Sequence, residues 1–237
     1  MNTITDNKGF LQKLGGFAAI YGAVVYLLAI IIFLVVLDYP NISDPADKLS
    51  MIIENQRLVI TLRWLSYVLF GLALVVLSFA LYEKIDLKDS SMMKIATLFA
   101  LIWATLLIAS GLIFNHGAVI VADIYKTDPS QAVLLWQGIE VIASSLSFID
   151  GELLGGLWML LVGLGSLKSR EFNKGFSYWT IGIGILGVIS ILPPLNFLGA
   201  LFGIGQIFWF LWIGKIFLSK STNEKQKKNS NQTLKTL

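Results

Sequence analysis

The sequence predicts an all-α, polytopic transmembrane bundle of six spans with a helical hairpin on its outer side, between the third and fourth spans. Three observations carry this: an apolar composition, six apolar runs of spanning length, and basic residues gathered on one side. Of the 237 residues 56% are apolar and only 14% charged, with a mean hydropathy of +0.75. A water-facing globular surface needs roughly a quarter of its residues charged, and a disordered chain needs low hydrophobicity. Both classes are excluded. There is no Cys and only one His, which removes thiolate nucleophiles, Cys-ligated metals, dithiol redox chemistry and any site needing two imidazoles from one chain.

A hydrocarbon core about 30 Å thick takes about 20 helical residues. The first run of that kind is Gly15 to Leu37, longer than the h-region of a signal peptide and lacking a small-x-small cleavage site, so it is read as retained. The second is Leu58 to Tyr82, the third about Ile95 to Phe114, and the fourth about Ser147 to Leu167. The fifth, Phe176 to Leu192, and the sixth, Leu195 to Leu218, are divided by Pro193 and Pro194, which lack the amide hydrogens of a helix interior. Residues 1–218 thus form the transmembrane domain. Residues 219–237 are polar, Lys- and Asn-rich and without apolar period, which predicts a disordered basic tail.

Lys8, Lys13, Lys84, Lys88, Lys94, Lys168, Arg170, Lys174 and the tail lysines fall on one side of this arrangement; only Lys48, Arg57, Arg63 and Lys126 fall on the other. Lys and Arg resist translocation, so both termini are expected in the cytoplasm and the bundle in the plasma membrane. The net charge of +3 is what such a topology requires, and no aromatic–basic recognition motif points to nucleic acid. Lys225, Lys227 and Lys228 are read first as part of a solvated positive-inside tail, with membrane lipids, through anionic headgroups, as the alternative partners.

Two outer segments have helical character. Ser43-Asp-Pro-Ala-Asp-Lys offers Ser43 or Asp44 as a cap and Pro45 in the first turn, predicting a short helix that runs into the second span. Residues 115–146 read as two helices about Lys126-Thr-Asp-Pro-Ser-Gln, an αα-hairpin extending the third and fourth spans. The alternative lays these pieces flat in the interface, with Tyr125 and Trp136 at headgroup level.

Ionisable residues inside a span are costly enough to be read as functional. From Leu167, Glu152 lies 15 and Asp150 17 residues along, roughly 22 and 25 Å up the helix. That height matches Arg63 near the outer end of the second span, so one carboxylate is expected to meet the guanidinium, as a ligand site or as a structural ion pair. His116, Asp123 and Glu140 form a second group. His116 and Asp123 are seven residues apart and share a face, and a hairpin turning near Asp128 puts His116 level with Glu140. An imidazole beside carboxylates is a candidate proton acceptor or pH sensor; an interfacial His bonded to water is the plainer reading. Asn115, Gln137, Ser144 and Ser145 would add hydrogen-bonding groups nearby.

The sequence names no cofactor. Neither H-x-x-x-H nor Glu-x-x-His occurs, so a divalent cation on His116 and acids is a minor alternative, and serine or aspartyl proteolysis fits worse. Glycines at 151, 155, 156 and 163, at 182, 184 and 187, and at 199 and 203 form small-residue ridges. Such ridges more often join helices of one subunit than make a homo-oligomer face. Trp103, Trp158, Trp209 and Trp212 sit too deep for a headgroup belt and are expected to fill the bundle. The two three-span halves show little inverted-repeat likeness.

Glu152-Leu-Leu-Gly-Gly-Leu-Trp-Met-Leu-Leu-Val-Gly and Phe202-Gly-Ile-Gly-Gln-Ile-Phe-Trp-Phe-Leu-Trp-Ile-Gly, around a short basic loop and a Gly-rich span, resemble small six-span prokaryotic membrane proteins of unknown function. The resemblance covers roughly the last 90 residues. It implies six spans and carries no activity. The functional expectation is a non-catalytic protein that binds or passes a small polar solute or ion through an outward-facing pocket of Arg63, His116, Glu140, Asp150 and Glu152. A non-transporting accessory or scaffold protein is the alternative, and a metal-dependent membrane enzyme the third.

Overall fold

The computed structural model describes residues 2–85, 91–147 and 152–233, with side chains described from Gly9 to Ser219. Among these residues the chain is all-helical. Helix α1 (Asn2–Ile30) ends in a π-helical stretch (Ile31–Val36) and is followed by a 3-10 turn (Tyr39–Asn41). The turn is set by Asp38, which adopts φ 48° and accepts from the Asn41 side-chain amide at 2.7 Å. Helix α2 (Pro45–Glu54) starts as expected, with Asp44 Oδ1 accepting from the Ala46 amide at 2.7 Å and Pro45 in its first turn. It does not run straight into the next element. Asn55 breaks it, its side chain donating to the Met51 carbonyl at 2.9 Å and competing with the helical ladder.

Helix α3 (Gln56–Arg63) continues through a second π-helical stretch (Trp64–Leu69) into α4 (Phe70–Lys84). Helix α5 (Ser91–Tyr125) has 35 residues, about 52 Å. Helix α6 (Pro129–Leu146) is capped by Asp128, which accepts from the Gln131 amide at 3.0 Å, and returns along α5. Helices α7 (Leu153–Ser169) and α8 (Lys174–Ile189) follow, α8 capped by Asn173 at 2.7 Å from the Phe176 amide. Pro193 and Pro194 open a 3-10 turn (Pro193–Leu195) before α9 (Leu198–Thr233). This last helix passes the Ser219 boundary at which regular structure was expected to end. Extending an existing helix needs no new nucleus, so polar residues can follow an apolar span in the same conformation.

Helix α1 packs on α4 and α9, α4 on α5, α5 on α7, α7 on α8, and α8 on α9. These contacts close a ring of six helices. Among the described residues, four stretches are long and apolar enough to cross a membrane: Gly9–Val36, Gln56–Lys84, Ser91–Tyr125 and Leu198–Ser219. Helices α7 and α8 are shorter apolar helices of 17 and 16 residues. The outer surface is itself oily, with Val24, Leu72, Leu98, Tyr178, Leu201 and Phe208 all exposed, the inversion of a soluble surface.

Inside the ring, aromatic contacts close on themselves. Phe70 meets Trp103 at 6.3 Å, Trp103 meets Trp158 at 6.0 Å, Trp158 meets Trp209 at 5.5 Å, Trp209 meets Phe210 at 5.4 Å, and Phe210 returns to Phe70 at 5.7 Å between centroids. Four helices contribute these rings, which block the bundle axis. Trp212, expected inside, instead sits on the outer side of α9 at 37% exposure, edge-on to Phe176; its depth was readable from spacing and its azimuth was not. Helices α7 and α8 approach most closely: a Cβ on Gly156 would lie 2.5 Å from the Val188 nitrogen, and one on Gly184 2.5 Å from that of Leu160. Gly182 and Gly203 face open space.

A second apolar cluster lies at one end, where α2, α3 and α6 pack against α5 around Leu49, Ile52, Val59, Phe114 and Trp136. Trp136 is fully buried, edge-on to Phe114. The other face of α6 is open and apolar, with Leu134 at 71% and Val141 at 64% exposure.

Candidate functional site

Between the aromatic plug and the second cluster lies a half-open cavity of about 380 Å³, lined by Tyr26, Ala29, Ile30, Phe33, Leu34, Ser66, Tyr67, Phe70, Leu107, Ser147 and Glu152. Both π-helical stretches feed its wall, the first through Phe33 and Leu34 and the second through Ser66 and Tyr67. An added residue per turn widens a helix locally and re-aims its side chains, and π turns concentrate at functional sites for that reason. The Tyr21 hydroxyl donates to the Leu65 carbonyl at 2.8 Å and pins α1 to the second π stretch. Phe70, edge-on to Tyr26 at 5.2 Å, belongs both to the cavity lining and to the plug.

Glu152 enters at the start of α7. Its amide donates to the Ser190 hydroxyl at 3.0 Å, which donates in turn to the Gly187 carbonyl at 2.7 Å, so the end of α8 fixes its position. The carboxylate has no hydrogen-bond or ion-pair partner among the described residues, and Oε2 is sealed from solvent. It lies close enough to Tyr26 to act on it electrostatically. A carboxyl group left unpaired beside apolar walls either takes up a proton or is matched by a donor or a cation.

Arg63 stands behind two of the same walls. Its guanidinium carbon is 4.0 Å from the ring centroid of Phe114, 4.3 Å from that of Tyr67 and 5.4 Å from that of Phe33. The residue is 8% exposed, and Nε and Nη1 have no hydrogen-bond partner among the described residues. The expected ion pair between Arg63 and a carboxylate at the start of the fourth span is therefore not formed with Glu152; aromatic faces hold the cation instead. Gly111 allows this approach, since a Cβ there would lie 2.7 Å from Tyr67 Cβ. Around Phe114, the Asn115 amide and Trp136 Nε1 are also buried without hydrogen-bond partners among the described residues.

The second candidate group does not assemble. Gly117 packs on Ile139, and the Ser110 hydroxyl donates to the Ala143 carbonyl at 2.7 Å, so α5 and α6 run antiparallel at the heights a turn near Asp128 requires. His116, however, is one residue, about 100°, round the helix from Gly117. It is exposed and meets neither Glu140 nor Asp123. Asp123 pairs with Lys126 at 2.8 Å on the surface. Glu140 accepts from the Tyr39 hydroxyl, tying α6 to the turn after α1. Burial, and then this bond to Glu140, hold the Tyr39 hydroxyl pKa above its usual value. Asp150 lies outside the described residues. Of the five described candidates, Glu152 alone lines the cavity. No group of three or more His, Asp or Glu able to hold a metal comes together among the described residues.

Sequence reasoning missed Tyr26, Phe33, Tyr67 and Phe70 as cavity residues. Tyr26 and Phe33 are seven residues apart and share a helix face, which is the one signal that joined them.

An all-helical bundle with an oily exterior, four helices able to cross a bilayer and a carboxylate left unpaired in an inner cavity defines a membrane protein. The chain belongs to the family described as Domain of unknown function (DUF4386), whose model matches residues 20–214. No curated protein and no solved structure matches it.

Proposed function

We propose that this chain is a six-span membrane protein, both termini in the cytoplasm, that binds a small solute in the cavity above its aromatic plug. The observation that carries the reading is Glu152, unpaired in a cavity of about 380 Å³, within the range of small-molecule sites. Helices α7 and α8 complete the six spans: at 17 and 16 residues they reach about 25 and 24 Å, and they pack in the ring beside the four longer ones. The basic residues flanking the spans set α1 and α9 to begin and end in the cytoplasm of a plasma membrane. The cavity then opens on the outer half, with the plug closing it from below. Most of its lining is apolar, so the solute has a hydrocarbon body and one polar end directed at Glu152.

An accessory or scaffold role is the second reading, favoured by Arg63, whose rings come from three separate elements and tie them together. The chain has no Cys, so a Ser66→Cys variant carries a single thiol inside the cavity. Small impermeant thiol reagents should reach it in intact cells, and Ala29→Trp, which fills the cavity, should block them. Labelling only after lysis, or labelling indifferent to Ala29→Trp, would contradict the outward cavity.

A further inference from the structure

We infer that the occupant of this cavity is a monovalent organic cation, a substituted ammonium carried on a hydrocarbon body. The inference rests on the cavity reading above and names its ligand class. Four aromatic residues line the space, Tyr26, Phe33, Tyr67 and Phe70, together with one carboxylate, Glu152, that has no partner among the described residues. Aromatic faces around an acidic group are the chemistry that recognises quaternary and substituted ammonium ions, because the ring quadrupole attracts a cation whose own alkyl groups cannot hydrogen-bond. Calcium and magnesium do not fit the lining. Calcium takes six to eight oxygen ligands and magnesium a near-octahedral set, while this wall offers one carboxylate, two serines and two tyrosines amid hydrocarbon.

Arg63 does not reverse the sign. Its guanidinium lies over Tyr67 and Phe33, but Arg63 is not part of the cavity lining, whereas Glu152 is. Among the described residues, no cation lies over Tyr26 or Phe70. These two rings and Glu152 therefore make the cationic subsite, and Ile30, Leu34 and Leu107 receive the hydrocarbon body.

The test uses the full chain with Ser66→Cys. Ethyl methanethiosulfonates bearing a trimethylammonium or a sulfonate group are compared, each rate divided by that with a free thiol in solution. A unit negative charge lining a poorly solvated cavity should favour the cationic reagent by about tenfold. Glu152→Gln should bring the ratio near parity and Glu152→Asp should keep it, which separates loss of charge from loss of fold. Benzyltrimethylammonium should slow the labelling, and its uncharged carbon analogue should not. Equal rates, preference for the sulfonate, or a ratio indifferent to Glu152→Gln would overturn the ligand class while leaving the cavity reading intact. A thiol reached by neither reagent would overturn both.

Discussion

The guanidinium carbon of Arg63 lies 4.0 Å from the ring centroid of Phe114, joining the end of α3 to the middle of α5 with a charge that has no acid beside it among the described residues. Each of its three ring contacts contributes about 0.5–2 kcal/mol, and together they offset a desolvation cost of several kcal/mol for the buried ion. Arg63→Met should therefore change stability by no more than about 1 kcal/mol in either direction. Phe114→Leu, which also removes the ring edge-on to Trp136, should cost about 2–4 kcal/mol. A double-mutant cycle in detergent melts should return a coupling of about 0.5–2 kcal/mol. Additive effects would show that the ring does not hold the cation.

Gly156 and Gly184 bring two backbones together where α7 meets α8. A Cβ on Gly156 would sit 2.5 Å from the Val188 nitrogen and 2.9 Å from the Gly184 oxygen, and backbone cannot rotate aside as a side chain can. Gly156→Ala should lower stability by about 1–3 kcal/mol, measured as a drop in melting temperature. Gly182→Ala, with nothing within 4 Å, should leave it unchanged.

Tyr39 gives the connection between α1 and α2 a dependence on high pH. Its folded-state pKa is raised, by burial first and by the bond to Glu140 second, while in the unfolded chain it titrates near about 10. Above that pH the unfolded state has released a proton that the folded state keeps, so stability falls as pH rises. Wild type should lose stability above about pH 10 relative to Tyr39→Phe, which has no proton to lose. Melting curves that stay parallel up to about pH 11 would contradict the buried Tyr39–Glu140 contact.

The aromatic plug is a packing device with a cost on removal. Trp158 contacts Trp103 and Trp209 and is 1% exposed, so Trp158→Ala should cost about 3–5 kcal/mol. It should also open the floor of the cavity. Passage of benzyltrimethylammonium into vesicles containing the variant, above that with wild type, would report the opening; an unchanged flux with a normal melting temperature would place the barrier elsewhere.

Glu152 and Arg63 were legible in the sequence because an ionisable group in an apolar run stands out by cost alone. Their partners were not. Phe33, Tyr67 and Phe70 are aromatic residues in apolar spans among 15 Phe and 7 Tyr, and nothing in spacing separates a ring that lines a cavity from one that fills a core. The π stretches were silent as well, since Ile31–Val36 and Trp64–Leu69 contain neither Pro nor Gly to mark a break. Axial positions were better read than azimuths. The antiparallel heights of α5 and α6 follow from a turn near Asp128, yet one residue of rotation takes His116 off the shared face, and Trp212 leaves the core for the same reason. The caps at Asp44 and Asp128 sit where local chemistry puts them, because a side-chain acceptor before Pro and a free amide need no tertiary context.

The central claim is a six-span bundle whose α5–α6 turn and α7–α8 loop face opposite sides of the membrane, and paired thiol labelling tests it most directly. In this Cys-free chain, Asp128→Cys should react with an impermeant maleimide in intact cells, and Lys174→Cys should react only after lysis. Reaction of the Lys174 variant in intact cells, or protection of the Asp128 variant until lysis, would contradict the topology and with it the outward cavity.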